Sequence, residues 1–274
     1  MTNEPITPES CIVRNTAARK GRTWAVAPGT SPTRHLHYGR IILDANAVLP
    51  PFATDDRETG LICLRGGAFV STGGAVHTLG RFDALYLPRD SSVNVRAGAD
   101  GCDLVEVAAP VERRYDPRFV SYADVRQTPG LHFETGGASA RRELNVLIGK
   151  NVEAGRLMAG LTFSQPGNWT SWPPHEHAAM LEEAYLYIEM PPPAFGIQLV
   201  YTNSSEPELA TIVRENDLVL MPQGYHPNVA VPGNPINFVW MMAANREGID
   251  RQYGVVNVQP EFAAIGSGLD AARK

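Results

Sequence analysis

The chain has 274 residues, 43% hydrophobic and 19% charged, with a formal net charge of −5. These values fit a soluble globular protein of one large domain or two ordinary ones. No basic run, signal-like start or membrane-length apolar stretch occurs, so nucleic-acid and membrane roles are not expected.

Residues 1–34 are weakly patterned. Alternation begins at 35–43 and returns at 61–67, which leads into a glycine turn. Residues 68–71 and 75–79 read as a hairpin around Gly73 and Gly74. Strand-like runs follow at 84–88, 93–95 and 103–108. Residues 109–137 form a polar connection with Pro110, Pro117 and Pro129, and a domain boundary is placed there, giving units 1–128 and 129–274. Strands resume at 144–148, 157–163, 183–190, 195–201, 218–221 and 236–243. A short helix is expected only near 119–125 or at the C-terminus. Many short strands with 25 glycines and 22 prolines predict an all-β sandwich or barrel.

The halves look duplicated. Residues 83–95 (DALYLPRDSSVNV) align without a gap with residues 217–229 (DLVLMPQGYHPNV). Upstream, Pro50–Thr54 is set opposite Pro173–His177, which places Gly60 opposite Glu183. In that register the first copy keeps the strands and lacks the histidines.

The chemistry concentrates in the second copy. His175 and His177 are separated by one residue, so on a strand both face one way. His226 follows Pro222-Gln223-Gly224, a turn able to bring it opposite them. Either Glu182 or Glu183 supplies a carboxylate. Glu183 shares its strand face with Tyr185 and Tyr187, the polar face suited to a barrel lumen, and is preferred. His175, His177, Glu183 and His226 form a donor set for a divalent transition metal: Zn, Mn, Fe, Co or Ni. Tyr185, Tyr187, Gln198 and Tyr225 are candidate neighbours of the site. His35-Leu36-His37 lacks a suitably spaced carboxylate strand and is read as unrelated to metal. Trp169 and Trp172 are read as packing, and Cys63 as a small buried hydrophobe. Cys11, Cys63 and Cys102 are odd in number and widely spaced, which predicts reduced thiols and a cytoplasmic setting.

The HxH pair, the strand glutamate and the Pro-x-Gly-x-His element resemble the two motifs of the cupin superfamily, which implies a bicupin of two double-stranded β-helix (jelly-roll) barrels. Residues 166–177 (PGNWTSWPPHEH), 181–185 (LEEAY), 195–202 (FGIQLVYT) and 224–227 (GYHP) are further similar to the 5-deoxy-glucuronate isomerase family. The 183–187 run resembles the sister 4-deoxy-L-threo-5-hexosulose-uronate ketol-isomerases equally. Arg141 and Asn145 fall where the family has an arginine and an asparagine. The resemblance implies a metal-dependent aldose–ketose isomerase of a deoxy uronic acid, converting 5-deoxy-glucuronate to 2-deoxy-5-keto-gluconate in myo-inositol catabolism. It implies Tyr185 or Tyr187 near the chemistry and Arg141 as a cation for the substrate carboxylate. A dimer or larger homo-oligomer is expected, with a small sugar acid as partner. Three departures from the inositol enzymes stand out: Ala178 in place of an acid, a short loop from His177 to Glu183, and Ile188-Glu189 in place of a basic position. The alternatives are the pectin-derived keto-uronate as substrate, an Fe(II) dioxygenase, or a non-catalytic sugar-acid binder.

Overall fold

The computed structural model describes residues 5–273. It has the expected all-β bicupin architecture, with antiparallel pairing between the named strands throughout. The first sheet runs in the order Gly21–Val26, His37–Leu43, Ser92–Pro110, Arg57–Thr72, Ala84–Leu87, Arg118–Val120. Arg57–Thr72 is one bulged strand where two separate pieces were expected, with register shifts between Cys63 and Arg65 and between Gly66 and Ala68. Gly66 permits the bend: its φ is +65°, and a Cβ there would lie 2.1 Å from the Gly101 carbonyl oxygen. Ile41, Leu61, Cys63, Val70, Leu85, Val95 and Leu104 fill this barrel. Cys63 is fully buried, as the sequence suggested.

The second barrel carries the histidines. Its larger sheet runs Ile12–Val13, Leu218–Met221, Leu181–Ile188, Asn237–Ala244, Leu157–Ser164, Arg142–Ile148, His132–Thr135. The smaller sheet runs Trp169–Thr170, Asn228–Ala230, Gly196–Val200, Leu209–Val213. A separate ribbon pairs His175–Glu176 with Asn257–Val258. The weakly patterned lead-in is therefore structured: Ile12–Val13 pairs with Leu218 and Val219. Helix is limited to short pieces, including Tyr122–Gln127, which Ser121 caps by accepting from the Asp124 N–H. No helix among the described residues is long and apolar enough to cross a membrane.

The duplication holds in three dimensions with a different register upstream. Asp83 and Asp217 each accept a backbone N–H from three residues before, Gly80 at 2.8 Å and Arg214 at 3.1 Å. Phe82 and Asn216, just before them, share a φ of +68°. Met221, however, pairs with Glu183, while its counterpart Leu87 pairs with Thr59. Thr59, and not Gly60, is the counterpart of Glu183. Gly60 faces the other barrel, where a Cβ would lie 2.8 Å from Ile148 Cδ1. Likewise Phe52–Ala53 pairs with Val93 and Ser92, the role that Trp169–Thr170 takes against Val229 and Asn228. The gapless upstream match fails because the first copy is shorter around residues 54–58.

Alternation along Leu181–Ile188 sends the two neighbouring glutamates to opposite faces. Glu182 faces the first barrel, and its carboxylate accepts the N–H groups of Arg34 and His35, each at 2.7 Å, and of Leu36. These contacts begin the first-barrel strand at His37, two residues later than the alternation implied.

Candidate metal centre

Strand alternation turns Glu183 into the second barrel, on the face that Tyr185 shares. Glu183, His177 and His226 are 2%, 4% and 1% exposed. His177 Nε2 lies 2.9 Å and His226 Nε2 3.1 Å from the same carboxylate oxygen, Glu183 Oε2. One ligand atom from each of the three falls within 4.8 Å of the others, and this is the only such group among the described residues. His175 stands beside them, its ring centroid 5.0 Å from that of His226 and 6.3 Å from that of His177. The pair His35 and His37 joins no such group; His37 Nδ1 is instead held 3.0 Å from the His35 carbonyl.

All three site imidazoles are oriented alike. Nδ1 of His175 donates to the Pro173 carbonyl at 3.0 Å, that of His177 to Leu181 at 3.2 Å, and that of His226 to Gly224 at 2.9 Å. With Nδ1 of each ring committed to the backbone, Nε2 is the nitrogen turned toward the site, the orientation in which imidazole binds a metal. His226 Nε2 is buried and makes no hydrogen bond of acceptable geometry. A buried donor atom left in this state fits a cation. Burial pushes the Glu183 carboxyl up, but the His177 and His226 imidazoles beside it outweigh burial and hold it down at about 2. Burial, reinforced by His226 and His177, lowers His175 to about 3. At His177 burial is outweighed by Glu183, which raises it; imidazole nitrogens around an ionised carboxylate are a donor set that suits a divalent transition ion.

A polar chain behind the site fixes His226. Tyr187 donates to Gln198 Oε1, which also accepts from Asn228 at 3.0 Å. Gln198 Nε2 donates to the backbone carbonyls of His226 at 2.9 Å and Pro227 at 3.2 Å. Thr170 in turn donates to Asn228. Tyr187 and Gln198 thus act behind the histidines and do not line the cavity in front of them. Tyr185 does line it, stacked on Phe238 at 4.1 Å and hydrogen-bonded to Ser171 at 2.8 Å.

That cavity is small, with about 40 Å³ of free space, enough for a few waters at most. Residues 253–256 and Leu269 roof it. Tyr253 lies flat on Trp240, with centroids 4.7 Å apart and planes at 9°. Three residues named from sequence fall elsewhere. Arg141 is on the surface, its side chain 63% exposed and 3.9 Å from Glu134. Its neighbour Arg142 faces the cavity, because the strand starts at 142 and alternation reverses the two. Asn145 is buried beside His132 and Glu143, and Tyr225 packs on Tyr201 outside the cavity. Trp169 and Trp172 pack on one another. The sequence reading missed Arg142, Ser171, Trp240 and Tyr253. Arg142 had a usable signal, a second arginine at the start of a strand.

The KduI/IolB family model matches residues 11–263. The chain belongs to the KduI/IolB family. It is 31% identical over 215 residues to the 5-deoxy-glucuronate isomerase of Geobacillus kaustophilus (strain HTA426), covering 69% of this chain and 73% of that protein. It is 27% identical over 219 residues to the enzyme of that name from Shouchella clausii (strain KSM-K16), covering 74% and 78%. In fold it resembles an IolB-like protein of Salmonella typhimurium LT2, with a TM-score of 0.81, 23% identity and 93% and 98% coverage. It also resembles an oxalate decarboxylase of Bacillus subtilis, with a TM-score of 0.63, 11% identity and 87% and 77% coverage.

Proposed function

We propose that this member of the KduI/IolB family is a metal-dependent aldose–ketose isomerase acting on a deoxy uronic acid, with 5-deoxy-glucuronate as substrate and 2-deoxy-5-keto-gluconate as product in inositol catabolism. The observation that carries this reading is the convergence of His177, His226 and Glu183, with His175 alongside, in a chain whose relatives are named for that isomerisation. His175, His177, Glu183 and His226 would hold the ion. A divalent metal there supplies Lewis acidity toward a carbonyl oxygen and its neighbouring hydroxyl.

The chain's own residues do the rest. Tyr185 keeps its proton, because burial pushes its phenol well above the ordinary value and Glu183 adds to the effect. It therefore serves as a hydrogen-bond donor to a sugar oxygen and not as a resting base. Phe238, Trp240 and Leu144 wall the cavity with apolar surface. With residues 253–256 and Leu269 also lining it, such a cavity would keep bulk water from the reacting carbons. The rest of the reading is a boundary between barrels near residues 128 and 129, a cytoplasmic setting and a homo-oligomer. Ile197 and Ile212, cross-strand partners left 39% and 44% exposed, are surface that an assembly would cover.

The test is anaerobic incubation of metal-loaded protein with 5-deoxy-glucuronate and, separately, with the pectin-derived keto-uronate, followed by NMR. Conversion of the first is expected. Conversion of the second alone moves the substrate to the sister reaction, which the short loop from His177 to Glu183 favours. Conversion of neither removes the isomerase reading.

A further inference from the structure

We propose that Arg142 binds the carboxylate of the substrate and so selects uronic acids over neutral aldoses; this rests on the isomerase reading of the same cavity. Arg142 is 3% exposed and shares the cavity lining with His175, His177 and Glu183. Its one side-chain hydrogen bond given by the geometry runs from Nη1 to the Ala140 carbonyl at 3.0 Å. A guanidinium has five donors, so most of its capacity is unspent.

No carboxylate among the described residues forms an ion pair with it. Among the described residues Glu183 is the only acidic side chain lining the cavity, and its interactions are with His177 and His226. Two glycines wall the guanidinium: a Cβ at Gly136 would lie 3.0 Å from Nη1, and one at Gly268 3.5 Å from Nη2. Both have positive φ, +91° and +70°, and side chains there would crowd the charged head. Burial lowers Arg142 to about 10, against the opposing pull of Tyr253 and Tyr185. A buried cation kept without its counter-charge is costly unless a ligand supplies one. A planar carboxylate matches the fork of donors in geometry and charge. With a net charge of −5 on the chain, such a local cation is also what an anionic substrate requires.

The experiment compares metal-loaded wild type, Arg142→Gln and Arg142→Lys on 5-deoxy-glucuronate and on 5-deoxyglucose, which carries a hydroxymethyl group in place of the carboxylate. Turnover and calorimetric binding of both compounds are measured. Loss of one charge-assisted pair predicts that Arg142→Gln weakens the acid about thirtyfold in KM and in binding. The neutral aldose should change by less than about threefold on the same basis, because it never made the pair. Arg142→Lys should recover part of the loss, since it restores the charge without the fork. Equal losses on both compounds would make Arg142 a purely structural residue, and unchanged discrimination would also overturn the proposal. Turnover of the acid with no dependence on Arg142 sinks this inference and leaves the isomerase standing. Arg142-dependent binding of the acid without turnover does the reverse.

Discussion

Glu58 and Glu182 form a reciprocal clasp between the barrels. Glu182 of the second holds residues 34–36 of the first, and Glu58 of the first accepts the N–H groups of Gly155, Arg156 and Leu157 at 2.8, 2.6 and 2.7 Å. Tyr86 adds its hydroxyl to Glu58 at 2.7 Å. Each carboxylate thus fixes the backbone where a strand of the other barrel begins, at His37 and at Leu157.

Removing one charge from this clasp leaves buried N–H groups with a weaker acceptor. Glu182→Gln and Glu58→Gln are each expected to cost about 2–3 kcal/mol in denaturant unfolding. Glu182→Gln should retain metal stoichiometry while Glu183→Gln loses it. Equal metal loss in both variants would contradict the division of labour between adjacent residues.

His177→Ala removes a ligand donor and should abolish metal uptake, as measured by elemental analysis after dialysis. Tyr187→Phe is subtler. It keeps every proposed ligand and frees Gln198 from one partner, so a loss of roughly 10–100-fold in metal affinity is expected, as for other outer partners of metal ligands. Unaltered affinity would show that the Gln198 chain does not steady His226.

Gly160 lies under Trp240, where a Cβ would come within 2.2 Å of Cζ2 and 2.3 Å of the Asn145 carbonyl oxygen. Gly160→Ala must displace the ring or the neighbouring strand, at about 1–3 kcal/mol for overpacking. Because Trp240 lines the cavity and carries Tyr253, catalytic efficiency should fall along with stability. Melting temperature and kcat/KM measured on one preparation check both.

His35 gives a pH signature at the clasp. Burial, then Arg156 and Arg34, lowers it from 6.5 to about 4 in the folded chain. Between those values the unfolded chain binds the additional proton, so this contribution to stability is full above 6.5 and declines as pH falls toward 4. His35→Gln should flatten the unfolding free energy over that interval. An unchanged slope would place the acid sensitivity elsewhere.

The legible parts of the site were those set by short spacing. Glu183 could be chosen over Glu182 because alternation along Leu181–Ile188 decides which side chains share a face, whereas the strand expected to carry both histidines ends at Glu176 and leaves His177 beyond it. Arg142 was missed by one residue for the same reason: parity is useful only once the strand start is known, and the strand begins at Arg142. The bicupin was visible through the repeat at Asp83 and Asp217. The register upstream was not, because a loop-length difference near residues 54–58 leaves no trace in a gapless match. The roof was illegible, since residues 253–256 and Leu269 have no periodicity and gain their place only by packing over the barrel.

The ribbon that joins His175 to Val258 and Glu176 to Asn257 has one further consequence. The same backbone that presents a candidate ligand is hydrogen-bonded to the segment covering the cavity. A displacement of that segment on substrate entry would be felt at the strand that carries His175. By reciprocity, an ion that steadied His175 would steady the segment paired with it to the same extent.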